Sequence, residues 1–269
     1  MTRLQEITGR TAREINATKT EIDLFISRLD RFLNKNLRKI LADILSNNVR
    51  GLEAATILGG IESALIEAGL QEQLAGIERI YGNKLKDVRT QLRTNGFAGE
   101  VLTAEDFQLA ETLITFDTTK VANRITEYVD DVSTTLMRGV ILGEVSDFSV
   151  IQSDFGDSLI SDLESEMSTL TSGFYQTVVG KKADDLGLNL YLYVGPEDAV
   201  TRKFCQQVLD GSPEGVSARK VPIYSREEID SMDNGQGLPV FPYRGGYRCR
   251  HQWTPVSAEL AKELGYNKK

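Results

Sequence analysis

Three side chains in this 269-residue sequence can ligate a soft metal or form a nucleophile–base set: Cys205, Cys249 and His251, its only cysteines and its only histidine. Cys249-Arg250-His251 is a C-x-H pair, and in a strand alternate residues point to one face. Cys205 lies upstream on a predicted helix. Two thiolates and an imidazole suit zinc, with an acid such as Asp198 or Asp210 as fourth ligand. Two other readings fit the same residues. The cysteines can be inert buried side chains, or Cys205 and Cys249 can pair as a disulfide in an oxidising setting. As catalysts they are poorly supported. A nucleophile and base two residues apart on one strand rarely reach each other, so Cys205 with His251 is the better pair, and no oxyanion-hole signature accompanies it. The sequence also lacks a P-loop, a G-x-G-x-x-G fingerprint and an H-E-x-x-H motif. The expectation is a protein that is not an enzyme.

Around these ligands lies a second kind of chemistry. Arg244, Arg248 and Arg250 are interleaved with Tyr247, His251 and Trp253. Cations neutralise phosphates and rings stack on bases, so the stretch is a candidate nucleic-acid contact. Solvated arginines around a small core are the plainer alternative.

The elements that must position these residues differ along the chain. All six prolines, both cysteines, the histidine and the single tryptophan come after residue 195. From Ile22 to Leu45 apolar residues recur at spacings of three and four, which predicts a long amphipathic helix. Asn47-Asn48 interrupts it. The run Leu52–Tyr81, with Gly59, Gly60 and Gly69, predicts two helices, and Leu85, Val88 and Leu92 predict another. Thr103-Ala104-Glu105-Asp106 is an N-cap with an acidic first turn, and further helical stripes follow, the last through Ile151, Phe155, Leu159, Leu163 and Met167.

The texture then changes. Leu188–Val194 alternates like a strand, and Gly195-Pro196-Glu197-Asp198 predicts a helix start that carries through Cys205 to Asp210-Gly211. Ser225-Arg226-Glu227-Glu228 is a capping box, Tyr247–Trp253 is a candidate strand, and Ser257 caps a last helix. The expected fold is a mainly α N-terminal helical region followed by a small irregular α+β C-terminal domain. Its segments are 1–100, a second and acidic helical region 101–185, and 186–269.

Net charge is −8 overall, yet residues 101–200 alone hold 5 Lys/Arg against 18 Asp/Glu. That acidity argues against general nucleic-acid binding and fits a solvated helical face or docking on a basic partner. The polar N-terminus lacks a signal-peptide core, and no stretch approaches the roughly 20 apolar residues of a membrane helix. Folding in a cytoplasm, with no membrane contact, is therefore expected.

The ordered C-terminal motifs carry a resemblance. They run Tyr193-Val194-Gly195-Pro196-Glu197-Asp198, Thr201-Arg202-Lys203-Phe204-Cys205, Leu209-Asp210-Gly211 and Tyr224-Ser225-Arg226-Glu227-Glu228-Ile229. Asp233-Asn234-Gly235-Gln236-Gly237 and Gly245-Gly246-Tyr247-Arg248-Cys249-Arg250-His251 follow. Over roughly residues 120–257 the chain resembles the minor head, or head morphogenesis, proteins of tailed bacteriophages of the phage Mu F type, which share an R-x-x-C … D-G … C-R-C/H skeleton. His251 stands where many relatives carry Cys. The resemblance implies structural motif roles for Arg202, Asp210, Gly211, Tyr224, Gly245 and Gly246. It also implies a structural virion protein, assembled in the host cytoplasm and present in multiple copies at the capsid interior or portal vertex. Its partners would be the portal protein, the major capsid protein, or both, with packaged DNA as a further contact, and its work head assembly, packaging or ejection. A nuclease or cysteine-dependent toxin delivered with the genome, or a DNA-binding internal head protein, are the competing expectations.

Overall fold

Proline-free sequence with apolar residues every three or four positions forms long helices in the computed structural model, which describes residues 2–46, 49, 51–95, 97, 102–142 and 156–266. In chain order these are α1 (Arg3–Ser46), α2 (Gly51–Gly59), α3 (Ile61–Glu67), α4 (Leu70–Thr94), α5 (Ala104–Leu142) and α6 (Asp157–Asp185). A small α+β part follows: β1 (Leu190–Val194), α7 (Lys203–Leu209), β2 (Ile223–Ser225), α8 (Arg226–Ser231), α9 (Val240–Tyr243), β3 (Gln252–Val256) and α10 (Ala258–Glu263). The fold class is thus a helical N-terminal region followed by a small α+β C-terminal domain.

Helix continuity departs from the sequence pattern at α5, one 39-residue helix where several helical stripes are expected, and within residues 51–94. Residues 51–94 form three helices, but the last is a single 25-residue α4 that crosses the expected break near Tyr81–Leu85. The breaks fall at Gly60 and at Gly69, whose φ of 104° only glycine adopts readily. Gly76 stays inside α4, where a β-carbon would stand 2.9 Å from the Phe25 ring. The Asn47-Asn48 interruption lies outside the described residues, as do Ile151 and Phe155.

The chain folds as two compact units. One draws on residues 21–79 and 115–167 and is helical. Its core is the apolar stripe of α1, with Phe25, Leu29 and Leu33 buried, together with Leu65, Ile77, Val121, Val132 and Leu163. The other draws on residues 1–20, 80–114 and 168–269 and contains every strand.

In that second unit the strands form an antiparallel sheet in the order β2-β1-β3, with Tyr193 opposite Trp253 and Tyr191 opposite Tyr224. Alternation gives the sheet two buried faces. Leu192, Val194, Ile223 and Val256 pack with Ile7 of α1 and with Leu260 and Ala261 of α10. Tyr191, Tyr193, Tyr224 and Trp253 face the other way, onto Cys205 and Val208 of α7, Ile229 of α8 and Phe241 of α9. The outer edge of β3 is closed by a side chain: Gln176 of α6 donates to the Trp253 carbonyl at 3.1 Å and accepts from its N–H at 3.1 Å. A glutamine amide thus replaces a neighbouring strand and hides an edge that would otherwise invite pairing.

Candidate metal centre

The aromatic face of β1 ends at the three ligands. The Sγ atoms of Cys205 and Cys249 stand 3.8 Å apart and unbonded. Cys249 Sγ lies 3.6 Å from Nδ1 of His251, and the ligand atoms of all three residues fall within 4.8 Å of one another. A tetrahedral zinc with bonds of about 2.3 Å to sulfur and 2.0–2.1 Å to nitrogen sets two sulfurs about 3.8 Å apart, and sulfur and nitrogen about 3.6 Å apart. The Cys205–Cys249 and Cys249–His251 edges match, and the third, from Cys205 to His251, is at most 4.8 Å. The set is enclosed, with Cys205, Cys249 and His251 at 2%, 5% and 2% exposure.

Local structure explains the convergence. Cys205 is carried inward by α7, which begins at Lys203, with Arg202 as its N-cap. The helix start expected at Gly195–Asp198 is displaced because Asp198 is used in a turn. Its carboxylate accepts from the Val200 N–H and the Thr201 hydroxyl, and it takes both guanidinium arms of Arg250 at 2.7 Å. Cys249 and His251 lie before β3, not in it, so the strand expected over Tyr247–Trp253 starts only at Gln252. Arg248 holds a φ of 57° there, and that turn does the converging that strand alternation was expected to do. Neither Asp198 nor Asp210 joins the cluster. Asp198 is held by Arg250, and Asp210 is the exposed C-cap of α7.

Two glycines make room. A β-carbon on Gly245 would overlap the Cys205 sulfur, and one on Gly195 would overlap the His251 ring. The Gly245 N–H also donates to Cys249 Sγ at 3.3 Å. The thiols are electrostatically unequal. Their mutual hydrogen bond and burial push Cys205 up. The same bond draws Cys249 down against the cost of burial, with His251 and the charge of Arg244 adding to it. Cys249 is therefore the first to become the thiolate.

Most of the residues singled out by the resemblance bond to their neighbours around this cluster. Arg202 donates to the carbonyls of Gly245 (3.0 Å) and Tyr247 (2.6 Å), tying α7 to the cysteine turn. Gly211, at φ 74°, pairs with Arg219, whose N–H donates to its carbonyl at 2.8 Å. The Tyr224 hydroxyl donates to the Val208 carbonyl at 2.8 Å, fastening the sheet to α7. Gly246, at φ 92°, leaves space for the Gln236 amide, which accepts from the Tyr247 N–H.

The arginine stripe does not survive as one surface. Arg244 is fully buried, its Nη1 donating to the Ser172 and Pro242 carbonyls, so its expected nucleic-acid role is lost. Arg250 is paired with Asp198. Arg248 is exposed. The sequence motifs give no role to Tyr193, Gly195, Gln236 or Gln176. The local signal for the first two is their place in the Tyr193–Asp198 motif, at the end of β1 and just after it.

Comparisons of the chain with protein-family models, with curated proteins and with solved structures return no match.

Proposed function

We propose that this chain is a minor head protein of a tailed bacteriophage, a structural virion component of the phage Mu F type. In this reading it acts in multiple copies at the capsid interior or portal vertex, on the portal protein, the major capsid protein or both. The observation that supports it is the fastening of the cysteine turn by motif residues: Arg202 bonds the carbonyls of Gly245 and Tyr247, Gly245 makes room for the Cys205 sulfur, and Tyr224 ties the sheet to the helix that carries Cys205. That is what a skeleton selected for a folded module would do. The cluster is read as a structural zinc centre, since all three ligands are buried and leave a substrate no approach to the metal. Imaging the portal vertex of intact particles tests the assignment, with density for this chain at the vertex as the expected result. Particles whose purified heads lack the chain would overturn it.

A second reading, a cysteine-dependent enzyme delivered with the genome, draws on the short Cys249–His251 approach and the lowered thiol. Enclosure of both side chains weighs against it, because a substrate has no route to the sulfur. RNA or DNA cleavage, or modification of a host protein, lost on His251→Ala would favour this reading. Unchanged absence of activity removes it.

A further inference from the structure

Three ligands leave a tetrahedron one corner short, and the acids that would fill it are elsewhere. One further polar atom reaches both sulfurs. The Tyr193 hydroxyl lies 3.4 Å from Cys205 Sγ and 3.9 Å from Cys249 Sγ. An oxygen bound to zinc at about 2.1 Å sits about 3.6 Å from each sulfur of the same tetrahedron. Tyr193 is 1% exposed, and its ring lies parallel to that of His251, centroids 5.1 Å apart and planes 7° apart. We infer that Tyr193 is the fourth ligand of the metal centre, binding through its phenolate oxygen beside Cys205, Cys249 and His251. This rests on reading the cluster as a metal site.

Two independent features agree. A buried tyrosine hydroxyl normally finds a good hydrogen-bond partner, yet among the described residues this one meets only thiol sulfurs, which are weak acceptors. A metal supplies what the thiols do not. Charge is the second feature. Zinc with two thiolates and a neutral imidazole carries no net charge; a phenolate makes the site singly negative. Arg244 is a fully buried cation with no carboxylate within ion-pair distance among the described residues, and its Nε and Nη2 have no hydrogen-bond partner. Buried cations are normally paired. Arg244 is joined directly to Gly245, whose N–H donates to Cys249 Sγ at 3.3 Å, so an anionic metal centre gives Arg244 the counter-charge it otherwise lacks. On metal entry the two thiol protons and the phenolic proton leave to solvent, and no electrons move.

The test uses the full chain kept reduced, loaded with zinc and, separately, with cobalt(II) as a spectroscopic probe. Metal content, competition with a chromophoric chelator and the response of the cobalt spectrum to azide are measured for the wild type and Tyr193→Phe. Expected are one metal per chain, a wild-type spectrum indifferent to azide, and a Tyr193→Phe protein that binds about tenfold or more weakly and responds to azide through its opened corner. A wild-type chain that binds metal yet responds to azide overturns Tyr193 as ligand while leaving the metal site standing, a result that needs no folded variant. Wild-type chain that takes up neither metal overturns the metal site itself.

Discussion

Gly245 and Cys205 occupy each other's space: the thiol sulfur of Cys205 stands where a β-carbon on Gly245 would be. The chain turns into Cys249 with its backbone in contact with the other cysteine, and any side chain at 245 pushes the two sulfurs apart. Gly245→Ala is expected to cost about 1–3 kcal/mol as overpacking. It is also expected to weaken zinc binding by at least tenfold. Urea unfolding with and without metal checks both, and an unchanged midpoint in both conditions contradicts the contact.

Metal removal should be visible as lost stability. A ligand that binds only the folded chain stabilises it by about 2.7 kcal/mol at a hundred times its Kd. A chelator added to reduced, zinc-loaded protein should therefore lower the Tm, and zinc should restore it. Cys249→Ser should melt at the chelated temperature in either condition.

Arg202 is expected to be irreplaceable by lysine. Its two arms reach the carbonyls of Gly245 and Tyr247, and an ammonium cannot span a planar fork. Arg202→Lys should lose roughly 1.5–3 kcal/mol, the usual range for a hydrogen bond from a charged group. Equilibrium unfolding gives the number, and a loss under a few tenths would show that the fork is ornamental.

The amide of Gln176 should be worth more than an ordinary surface residue. Truncation by Gln176→Ala leaves the Trp253 N–H and carbonyl unpaired in the interior, at about 1–3 kcal/mol for each group. Gln176→Glu sets a carboxylate oxygen against the Trp253 carbonyl in the interior, so near neutral pH it should cost at least as much as Ala. Hydrogen exchange at the Trp253 amide reports the same bond directly.

Acid should weaken the fold through Asp106. Burial opposes its ionisation, but hydrogen bonds from the Thr103 N–H and hydroxyl and the buried Lys182 ammonium, 3.3 Å away, hold its carboxyl below the usual range. A folded-state pKa below the unfolded one adds stability that is present above the unfolded value of about 3.9 and lost as pH falls through the folded value. Asp106→Asn should flatten the decline in stability below about pH 5. It should also destabilise the protein at neutral pH, because Lys182 is then buried without its partner. A variant whose acid limb matches the wild type would show that other carboxylates set it.

Local signals in this chain were legible because their partners are close in sequence. Ser225 and Glu228 form the capping box that Ser-x-x-Glu spells, Thr103 and Asp106 bond reciprocally, and Ser257 caps α10. The helical region and the strand at Leu190–Val194 follow from apolar period and proline placement, which are properties of neighbouring residues. The cysteine–histidine grouping was also available, since no other residues of those types exist.

What the sequence could not carry was anything decided by two distant stretches meeting. Arg244 and Arg248 look alike in a row of cations, yet one is fully buried and the other exposed. Asp198 looks like a ligand until Arg250 claims it. Tyr193 becomes a ligand candidate only when β1 delivers its hydroxyl to sulfurs 12 and 56 residues away. Composition and period determined which elements form and which residue types could bind a metal. Burial, counter-charge and the filling of the fourth corner depend on distances between elements, and only the packed sheet and its turns set those.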